Sequence, residues 1–370
     1  MKKNYSLAAS MLLLVACNTT PKYEINGTVS DPALNGQYVY LTNFGDKEMQ
    51  TVDSAQIVDG KFRFNNELPE QNLCFLSINT KAIAPFGPNS AYSAVVVLDA
   101  APLQAHLDSV FSTVTGSPEN DAFVAMKTKV QELQKDFPEL LKVYRSEDKD
   151  AAKQAGEKLM NIQESVFAEM KAYVESHKNT KTGGLTFVDM RYSLSEEEQN
   201  AIIAGADSTF LSVPGVDRIV KHLEVLKTVA VGKQFVDFEM ADVDGKARKL
   251  SEFVGQGKVV LIDFWASWCG PCRRAMPDLI KTYNAYKGKG FDVIGISLDS
   301  KDADWKKAIK DLGLKWNHLS DLKGWKSAGG ALYGVNSIPH TVLVDKDGVI
   351  AAKNLHGDEL NSKIEELLAK

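Results

Sequence analysis

Residues 258–278 read KVVLIDFWASWCGPCRRAMPD, and this stretch decides how the C-terminal part of the chain is interpreted. An apolar run, VVLI, continues through Asp263 and two aromatic residues into CGPC at 269–272, and residues at helical spacing follow. The pattern predicts a buried strand, a tight turn and a helix that begins at the cysteines. Unpaired backbone N–H groups and the helix dipole stabilise a thiolate at that position. The stretch therefore predicts redox chemistry at Cys269 and Cys272.

A Cys-x-x-Cys pair can also belong to a zinc site or form a purely structural disulfide. Zinc normally needs four ligands, but Cys17 and Cys74 each stand alone and no histidine cluster supplies the remainder. A disulfide across so short a loop removes little chain entropy from the unfolded state. The redox interpretation is therefore preferred, and we expect no metal ion and no other cofactor.

The stretch FWASWCGPC at 264–272 resembles the active-site signature of the thioredoxin superfamily. Asp263 stands six residues before Cys269, where thioredoxins carry a buried carboxylate. Pro277 follows Cys269 by eight residues and matches the proline that kinks their active-site helix. The resemblance covers roughly residues 231–370 and implies an α/β thioredoxin-like fold. The order of strands and helices there also predicts a mixed sheet with helices on both faces.

Further along the chain, Ile338-Pro339 matches the dipeptide that faces the cysteines in this superfamily and contains a cis peptide bond. The resemblance implies that the backbone of Ile338 pairs with an extended substrate strand and that Pro339 removes a competing N–H group. It also implies that Trp268 forms an apolar lip beside the first cysteine. The preceding segment FVDFEMADVDGKARKLSEF points to the envelope-anchored, TlpA/ResA-like branch of the superfamily.

The resemblance implies a division of roles between the two thiols. Cys269 would attack a substrate disulfide to form a mixed disulfide, and Cys272 would then attack Cys269 and release the reduced substrate. A buried Asp263 would have a raised pKa and could accept the proton of Cys272. The sequence departs from the family pattern at Gly295, where related thioredoxins often carry a lysine near this aspartate.

Gly270 and Pro271 form the central pair of reducing thioredoxins, and the resemblance therefore implies a reductase of protein disulfides in the cell envelope. A reductant in that oxidising compartment must receive electrons from a membrane partner. An oxidase or isomerase is the nearest alternative, and a ligand-binding envelope lipoprotein with secondary redox activity is another. A peroxidase is disfavoured, because its signature requires Pro and Thr or Ser where this chain has Ile262 and Ala266.

Residues 1–16 have the pattern of a signal peptide, with Lys2 and Lys3 before an apolar run too short to span a bilayer. The run ends in LVAC, which resembles a bacterial lipoprotein box and implies that Cys17 is lipidated, with 17–22 as a tether. A plain secretory signal with a chance cysteine is the alternative. The expected location is the periplasmic side of the bacterial cell envelope, anchored to a membrane by the lipid.

The remaining chain is long enough for two or three domains, and we place the thioredoxin-like domain at 230–370. Residues 23–116 show short apolar segments separated by turn signals, of which Asp59-Gly60 is the clearest. They predict an antiparallel β domain, and VDSAQIVDGKFRF within it resembles an uncharacterised domain that precedes many anchored thioredoxin-like proteins. No catalytic constellation stands out there.

Residues 117–229 have helical periodicity and begin with Ser117-Pro118, a helix-start signal. A break is predicted at 182–184, where the sequence reads Thr-Gly-Gly. We interpret this region as a spacer, in preference to a dimerisation or substrate-restricting element. The whole chain has a net charge of −5 and no basic run interleaved with aromatic residues, so a nucleic acid partner is not expected.

Lipidation at Cys17 leads to a prediction about location. Replacing Cys17 with Ser removes the acylated thiol, so the Cys17→Ser protein should move from the membrane fraction to the soluble envelope fraction. The measurement is fractionation followed by immunodetection, with Cys74→Ser as the matched control that stays in the membrane fraction. Retention of the Cys17→Ser protein on membranes would rule out a lipid anchor at this residue.

Overall fold

The computed structural model describes residues 20–44, 49–78 and 91–370. The chain divides into two compact units, Met1–Asp217 and Arg218–Lys370. The signal peptide and the lipidation predicted at Cys17 lie outside the described residues and remain predictions, as do the predicted domain boundaries. In the described ranges, no helix combines the length and the apolar character that a membrane span requires.

The first unit contains two four-stranded sheets that enclose a common core. Their strands are β1 (Lys22–Val29), β2 (Tyr38–Phe44), β3 (Met49–Gln56), β4 (Lys61–Glu67), β5 (Leu73–Ser77), β6 (Ser93–Val97), β7 (Leu103–Leu107) and β8 (Thr113–Thr115). The strand orders are β4-β1-β7-β8 and β3-β2-β5-β6. Buried and exposed side chains alternate along β4 and β7, as expected for strands with one face in a core. Ile25 of one sheet and Leu41 and Val96 of the other share that core.

Two details differ from the antiparallel domain predicted from the sequence, although the multidomain fold class is confirmed. Strands β1 and β7 pair in parallel, with Ile25 opposite Leu103. Asp59 and Gly60 form the expected tight turn, with φ of 49° and 70°, and it closes an antiparallel bridge between Val58 and Lys61. The strands on either side of this bridge then belong to different sheets. Beyond it β4 pairs with β1, whereas β3 pairs with β2. Both departures depend on pairing between distant residues, which local turn signals do not report.

Helices occupy the rest of the first unit, and the last of them crosses into the second. They are α1 (Pro118–Leu133), α2 (Phe137–Tyr144), α3 (Lys149–Ser176), α4 (Lys181–Met190), α5 (Glu196–Ala204), α6 (Ser208–Leu211) and α7 (Val216–Thr228). The predicted break at 182–184 is wrong, because these residues lie within α4. The hydroxyl of Thr180 caps this helix by accepting the N–H of Gly183 at 3.0 Å. A Cβ at Gly183 would lie 2.1 Å from the carbonyl oxygen of His177, so close packing requires the glycine.

The side chain of Asn120, which is 2% exposed, links helix α1 to strand β6 by hydrogen bonds. Its Oδ1 accepts the N–H of Val97 at 3.0 Å, and its Nδ2 donates to the carbonyl oxygen of Val97 at 2.8 Å. Val97 ends β6, which lies at the edge of its sheet. The same Nδ2 donates to the hydroxyl of Ser117, the predicted helix-start residue, at 2.8 Å. The Asn120 side chain thereby provides hydrogen-bond partners for both the N–H and the C=O of Val97 on this edge strand.

The second unit is built on one seven-stranded sheet. Its strands are β9 (Glu239–Asp242), β10 (Ala247–Lys249), β11 (Val259–Trp265), β12 (Phe291–Ser297), β13 (Asn317–Ser320), β14 (His340–Val344) and β15 (Ile350–Lys353). Its later helices are α8 (Gly270–Tyr286), α9 (Asp302–Leu312), α10 (Ala328–Leu332) and α11 (Gly357–Ala369). The strand order is β10-β9-β13-β12-β11-β14-β15, with β11, β12 and β13 parallel and the other pairs antiparallel. This is the mixed sheet that the sequence predicts.

The Asn120 contact leads to a prediction about stability. Asn120→Ala leaves a buried N–H and a buried C=O of Val97 without partners, so it should lower the free energy of unfolding by about 2–4 kcal/mol. Urea unfolding followed by circular dichroism measures the change. Asn161→Ala, on the exposed surface of α3, is the control and should change stability by less than about 0.5 kcal/mol. An Asn120→Ala effect as small as the control's would contradict the role of this amide.

Candidate active site

Strand β11 carries the chain directly into the first turn of α8, and this junction positions the two cysteines. Cys269 is the N-cap residue of α8, with extended backbone angles of φ −78° and ψ 102°. Gly270 begins the helix, and Pro271 follows in its first turn, where a missing N–H leaves no hydrogen bond unmade. Pro277 lies inside the same helix. The predicted strand, turn and helix are all present at this position.

Cys269 and Cys272 are joined by a disulfide, with their Cα atoms 5.3 Å apart. The Sγ of Cys269 accepts the backbone N–H of Cys272 at 3.1 Å, which is the hydrogen bond that an N-cap side chain normally accepts. When the disulfide is reduced, the same N–H can stabilise a thiolate on Cys269. Cys269 is 4% exposed and Cys272 1%, so the residue predicted to attack is the more accessible of two buried cysteines.

The turn before Cys269 is braced by the buried carboxylate of Asp299, which follows β12 and is 1% exposed. Its oxygens accept the backbone N–H of Ser267 at 3.0 Å and the hydroxyl of the same residue. The hydroxyl of Ser297 donates to the same carboxylate at 2.8 Å. The carboxylate thus ties the active-site turn to the end of the neighbouring parallel strand. Asp299 is a positioning residue, since it fixes the backbone that leads into the cysteines.

Asp263 is fully enclosed within β11, and its Oδ2 has no hydrogen-bond partner among the described residues. Burial raises the pKa of this carboxyl to about 7, because the charged form loses its hydration. Asp263, Cys272 and Pro339 line one cavity of about 220 Å³, which also reaches Thr341 of β14. A carboxyl with a pKa near neutral pH therefore lines the same cavity as the second cysteine.

Gly295 explains why no cation stands beside Asp263 in the described part of the chain. The two residues are opposite each other in the β11–β12 pairing, and His318 is opposite Gly295 on the next strand. A Cβ at Gly295 would lie 2.3 Å from Nδ1 of His318, so the imidazole fills the space of a side chain there. Burial lowers the pKa of His318 to about 3, which keeps this ring neutral. Neither residue therefore supplies a positive charge that would lower the pKa of Asp263.

The Ile338–Pro339 peptide bond is cis. The carbonyl oxygen of Ile338 lies 3.7 Å from the Sγ of Cys269, so this loop contacts the disulfide directly. His340 follows and packs edge-on against Phe264, with ring centroids 5.8 Å apart. Ile338, Pro339 and the disulfide therefore lie together at one end of the sheet. This is the relative position that the resemblance implies for the dipeptide and the cysteines.

Trp268, the predicted apolar lip, is 53% exposed and directly precedes Cys269 in the chain; its role beside the first cysteine stays a prediction. Its ring contacts that of Trp325, with centroids 5.9 Å apart and ring planes inclined at 55°. Trp325 lies between β13 and α10 and is 54% exposed. Two exposed indoles are thus in contact, and one of them belongs to the residue that precedes Cys269.

Three residues of the site escape prediction from the sequence: Asp299, His318 and Trp325. Asp299 has a usable signal, because an aspartate just after a buried parallel strand lies at the same sheet edge as the active-site turn. His318 and Trp325 are far from the cysteines in the chain and carry no local pattern that marks them. Only the fold brings them to the site.

Comparison with known proteins adds a family context to this geometry. Residues 231–353 match the AhpC/TSA family, and residues 23–123 match a domain of unknown function, DUF4369. The chain is 34% identical over 140 residues to the thiol-disulfide oxidoreductase ResA of Bacillus thuringiensis (strain Al Hakam), covering 38% of this chain and 78% of that protein. It is 30% identical over 122 residues to ResA of Geobacillus thermodenitrificans (strain NG80-2), covering 33% and 67%.

Two solved structures are similar over the same part of the chain. The thioredoxin domain of a thiol-disulfide oxidoreductase from Bacteroides vulgatus is 39% identical, with a TM-score of 0.35, covering 38% of this chain and 98% of that one. A putative thiol:disulfide interchange protein DsbE from Chlorobium tepidum is 32% identical, with a TM-score of 0.35, covering 38% and 99%.

The raised pKa of Asp263 leads to a prediction with two opposite effects. The unfolded-state pKa is about 3.9, so between about pH 4 and 7 the native state binds the extra proton and stability falls as pH rises. Asparagine does not titrate. Asp263→Asn should therefore gain stability over wild type across that range, by up to about 4 kcal/mol above pH 7. The same variant should exchange disulfides roughly tenfold to a hundredfold more slowly near neutral pH, with a smaller loss at higher pH.

Urea unfolding of the oxidised proteins at several pH values measures the first effect, and turnover against pH measures the second. Asp347→Asn, on an exposed turn, is the matched control and should change neither quantity appreciably. A stability difference that stays constant with pH would mean that the Asp263 carboxyl does not titrate as described. An equal loss of turnover at every pH would indicate a packing role.

Proposed function

Because the chain belongs to the ResA-like thiol-disulfide oxidoreductases of the thioredoxin superfamily, we propose that it reduces disulfides of proteins in the bacterial cell envelope. The observation that carries the proposal is the N-cap position of Cys269, whose Sγ accepts the N–H of Cys272 at 3.1 Å. A helix N-terminus stabilises the attacking thiolate, and it does so without any cofactor.

The first step is attack by the Cys269 thiolate on one sulfur of the substrate disulfide. A new bond forms between Cys269 and that sulfur, the substrate S–S bond breaks, and the other substrate sulfur leaves as a thiolate. Contact between Sγ of Cys269 and the carbonyl oxygen of Ile338, at 3.7 Å, supports binding of the substrate backbone along this loop.

In the second step Cys272 loses its proton and attacks Sγ of Cys269. The bond between Cys269 and the substrate breaks as the Cys269–Cys272 bond forms, and the second substrate sulfur leaves as a thiolate. Both substrate thiolates take up protons from solvent, so the substrate is reduced by two electrons and the enzyme pair is oxidised to a disulfide. Asp263 accepts the proton of Cys272, which is supported by their shared cavity and by a pKa of about 7. The enzyme disulfide must then be reduced by an electron donor before another cycle.

The direction of electron flow is assigned from the Gly270-Pro271 pair between the cysteines. Thioredoxin carries a reducing disulfide with a potential of about −270 mV. An envelope reductase requires a donor that carries electrons across or within a membrane. We place the enzyme at the periplasmic face, anchored through Cys17, on the pattern of the N-terminal sequence.

The two steps predict different behaviour for the two cysteine variants. Cys272→Ser can take the first step but not the second, so it should accumulate mixed disulfides with its substrates. Cys269→Ser should trap far fewer, because Cys272 lies within the first helical turn and is less accessible. Non-reducing electrophoresis of cell extracts measures this as higher-mass bands that disappear with reductant.

Cys74→Ala is the matched control, since it removes a buried cysteine outside the site and should trap nothing beyond wild type. Equal trapping by Cys269→Ser and Cys272→Ser would overturn the assigned roles. The equilibrium of the wild-type disulfide with glutathione tests the direction separately. A potential near that of a strong oxidant, about −120 mV, would make the enzyme an oxidase instead.

A further inference from the structure

The five tryptophans of the chain divide sharply by exposure. Three are buried in the core of the second unit: Trp265, Trp305 and Trp316. The other two, Trp268 and Trp325, are 53% and 54% exposed and contact each other. Exposed indoles in contact form a concentrated apolar surface, and such surfaces on soluble units mark sites of interaction. Their position beside Cys269 places this surface at the point where a substrate disulfide must arrive.

Trp325 is held on a fixed turn. The carboxylate of Asp321 accepts the N–H of Lys323 at 3.2 Å and the N–H of Ala328 at 2.8 Å, which closes the segment from both ends. The N–H of Ser327 donates to the carbonyl oxygen of Gly324 at 3.0 Å. An aromatic side chain presented on an ordered turn loses little conformational entropy when a partner binds.

Both tryptophans depend on the same positioning residue. The carboxylate of Asp299 holds Ser267, which immediately precedes Trp268. The carbonyl oxygen of Asp299 accepts the N–H of Gly324, which immediately precedes Trp325, at 3.3 Å. The backbone that precedes each tryptophan is therefore bonded to the same residue, which also holds the active-site turn.

We propose that Trp268 and Trp325 form a docking platform for the polypeptide segment that carries the substrate disulfide. The platform selects substrates with an aromatic or large aliphatic side chain two residues from the reacting cysteine. This inference rests on the proposed function, because the substrate sulfur must meet Cys269. An extended chain advances about 3.3–3.6 Å per residue, so a side chain two residues away lies about 7 Å from that sulfur. This spacing is comparable to the 5.9 Å between the centroids of the two indoles, the first of which belongs to the residue next to Cys269.

The occupant is a transient substrate in preference to a second copy of this chain. A stable partner seated on the platform would cover Cys269, which already has little exposure. A substrate polypeptide covers the indoles only during exchange. The platform can therefore bind it, and Cys269 is accessible again once the substrate leaves. Tryptophan is also enriched among the residues that contribute most to binding at protein interfaces.

Trp325→Ala tests the platform by a ratio of rates. The reduced protein is mixed with disulfide-linked synthetic peptides that carry Phe or Ala two residues from the cysteine, on each side in turn. Stopped-flow measurement gives the second-order rate constant for each peptide. The wild type should prefer a Phe peptide by about fivefold to tenfold, and Trp325→Ala should reduce that preference to about one.

Two further variants separate the aromatic ring from the turn that carries it. Trp325→Phe keeps an aromatic ring and should retain most of the preference. Lys326→Ala alters the same exposed turn without touching the ring and should keep the wild-type preference in full. Circular dichroism of each variant confirms folding, and a small disulfide, 2-hydroxyethyl disulfide, reports whether the exchange chemistry proceeds.

The outcomes separate the platform from the proposed function. A wild type without preference, or a Trp325→Ala variant that keeps it, would overturn the platform while exchange with 2-hydroxyethyl disulfide still supports the function. Loss of preference in Lys326→Ala equal to that in Trp325→Ala would also overturn it, by assigning selectivity to the turn. A wild type that reacts with no disulfide would overturn both.

Discussion

The second unit depends on a strand that is buried along its whole length and contains a carboxyl group. Every residue of β11 is buried, and six of the seven are apolar, so the strand supplies much of the core. Asp263 interrupts this apolar run at a cost that the fold tolerates only because the carboxyl can remain protonated. A sheet built for stability alone would place an apolar residue there. In the mechanism proposed above, the aspartate gives up stability above neutral pH in exchange for proton transfer.

A second constraint is rigidity at the end of the sheet. Disulfide exchange needs three sulfur atoms brought into line, so a displacement of the attacking sulfur is costly to the rate. Asp299 meets this requirement from the neighbouring strand by holding the backbone and hydroxyl of Ser267. The loop at Ile338 bounds the disulfide from another part of the chain. The reactive pair is therefore held by hydrogen bonds from Asp299, which follows β12, and by a contact from the loop that precedes β14. The helix start contributes electrostatic stabilisation of the thiolate.

Much of the active site can be predicted from the sequence because its central parts are adjacent in the chain. Strand, turn, helix start and both cysteines lie within residues 258–278, and their periodicity and capping signals act locally. The parallel pairing of β1 with β7 cannot be predicted in this way, since it joins residues far apart. The break predicted at Gly183 is wrong for a related reason. Glycine as a residue type favours a break, but here its small size permits a close contact inside a helix. Trp325 is distant from the cysteines in the sequence, and only the folded order of the strands brings it into contact with Trp268.

Cys74 has a consequence for how the enzyme handles its own thiols. It lies in β5 with no exposed surface, and burial raises the pKa of its thiol to about 12. At physiological pH almost none of it is thiolate, the form that enters exchange. A chain that passes electrons through sulfur risks scrambling, in which an internal cysteine captures its own mixed disulfide. Because burial inside its own sheet keeps Cys74 protonated and inaccessible to other thiols, this cysteine does not compete with the reactive pair for exchange.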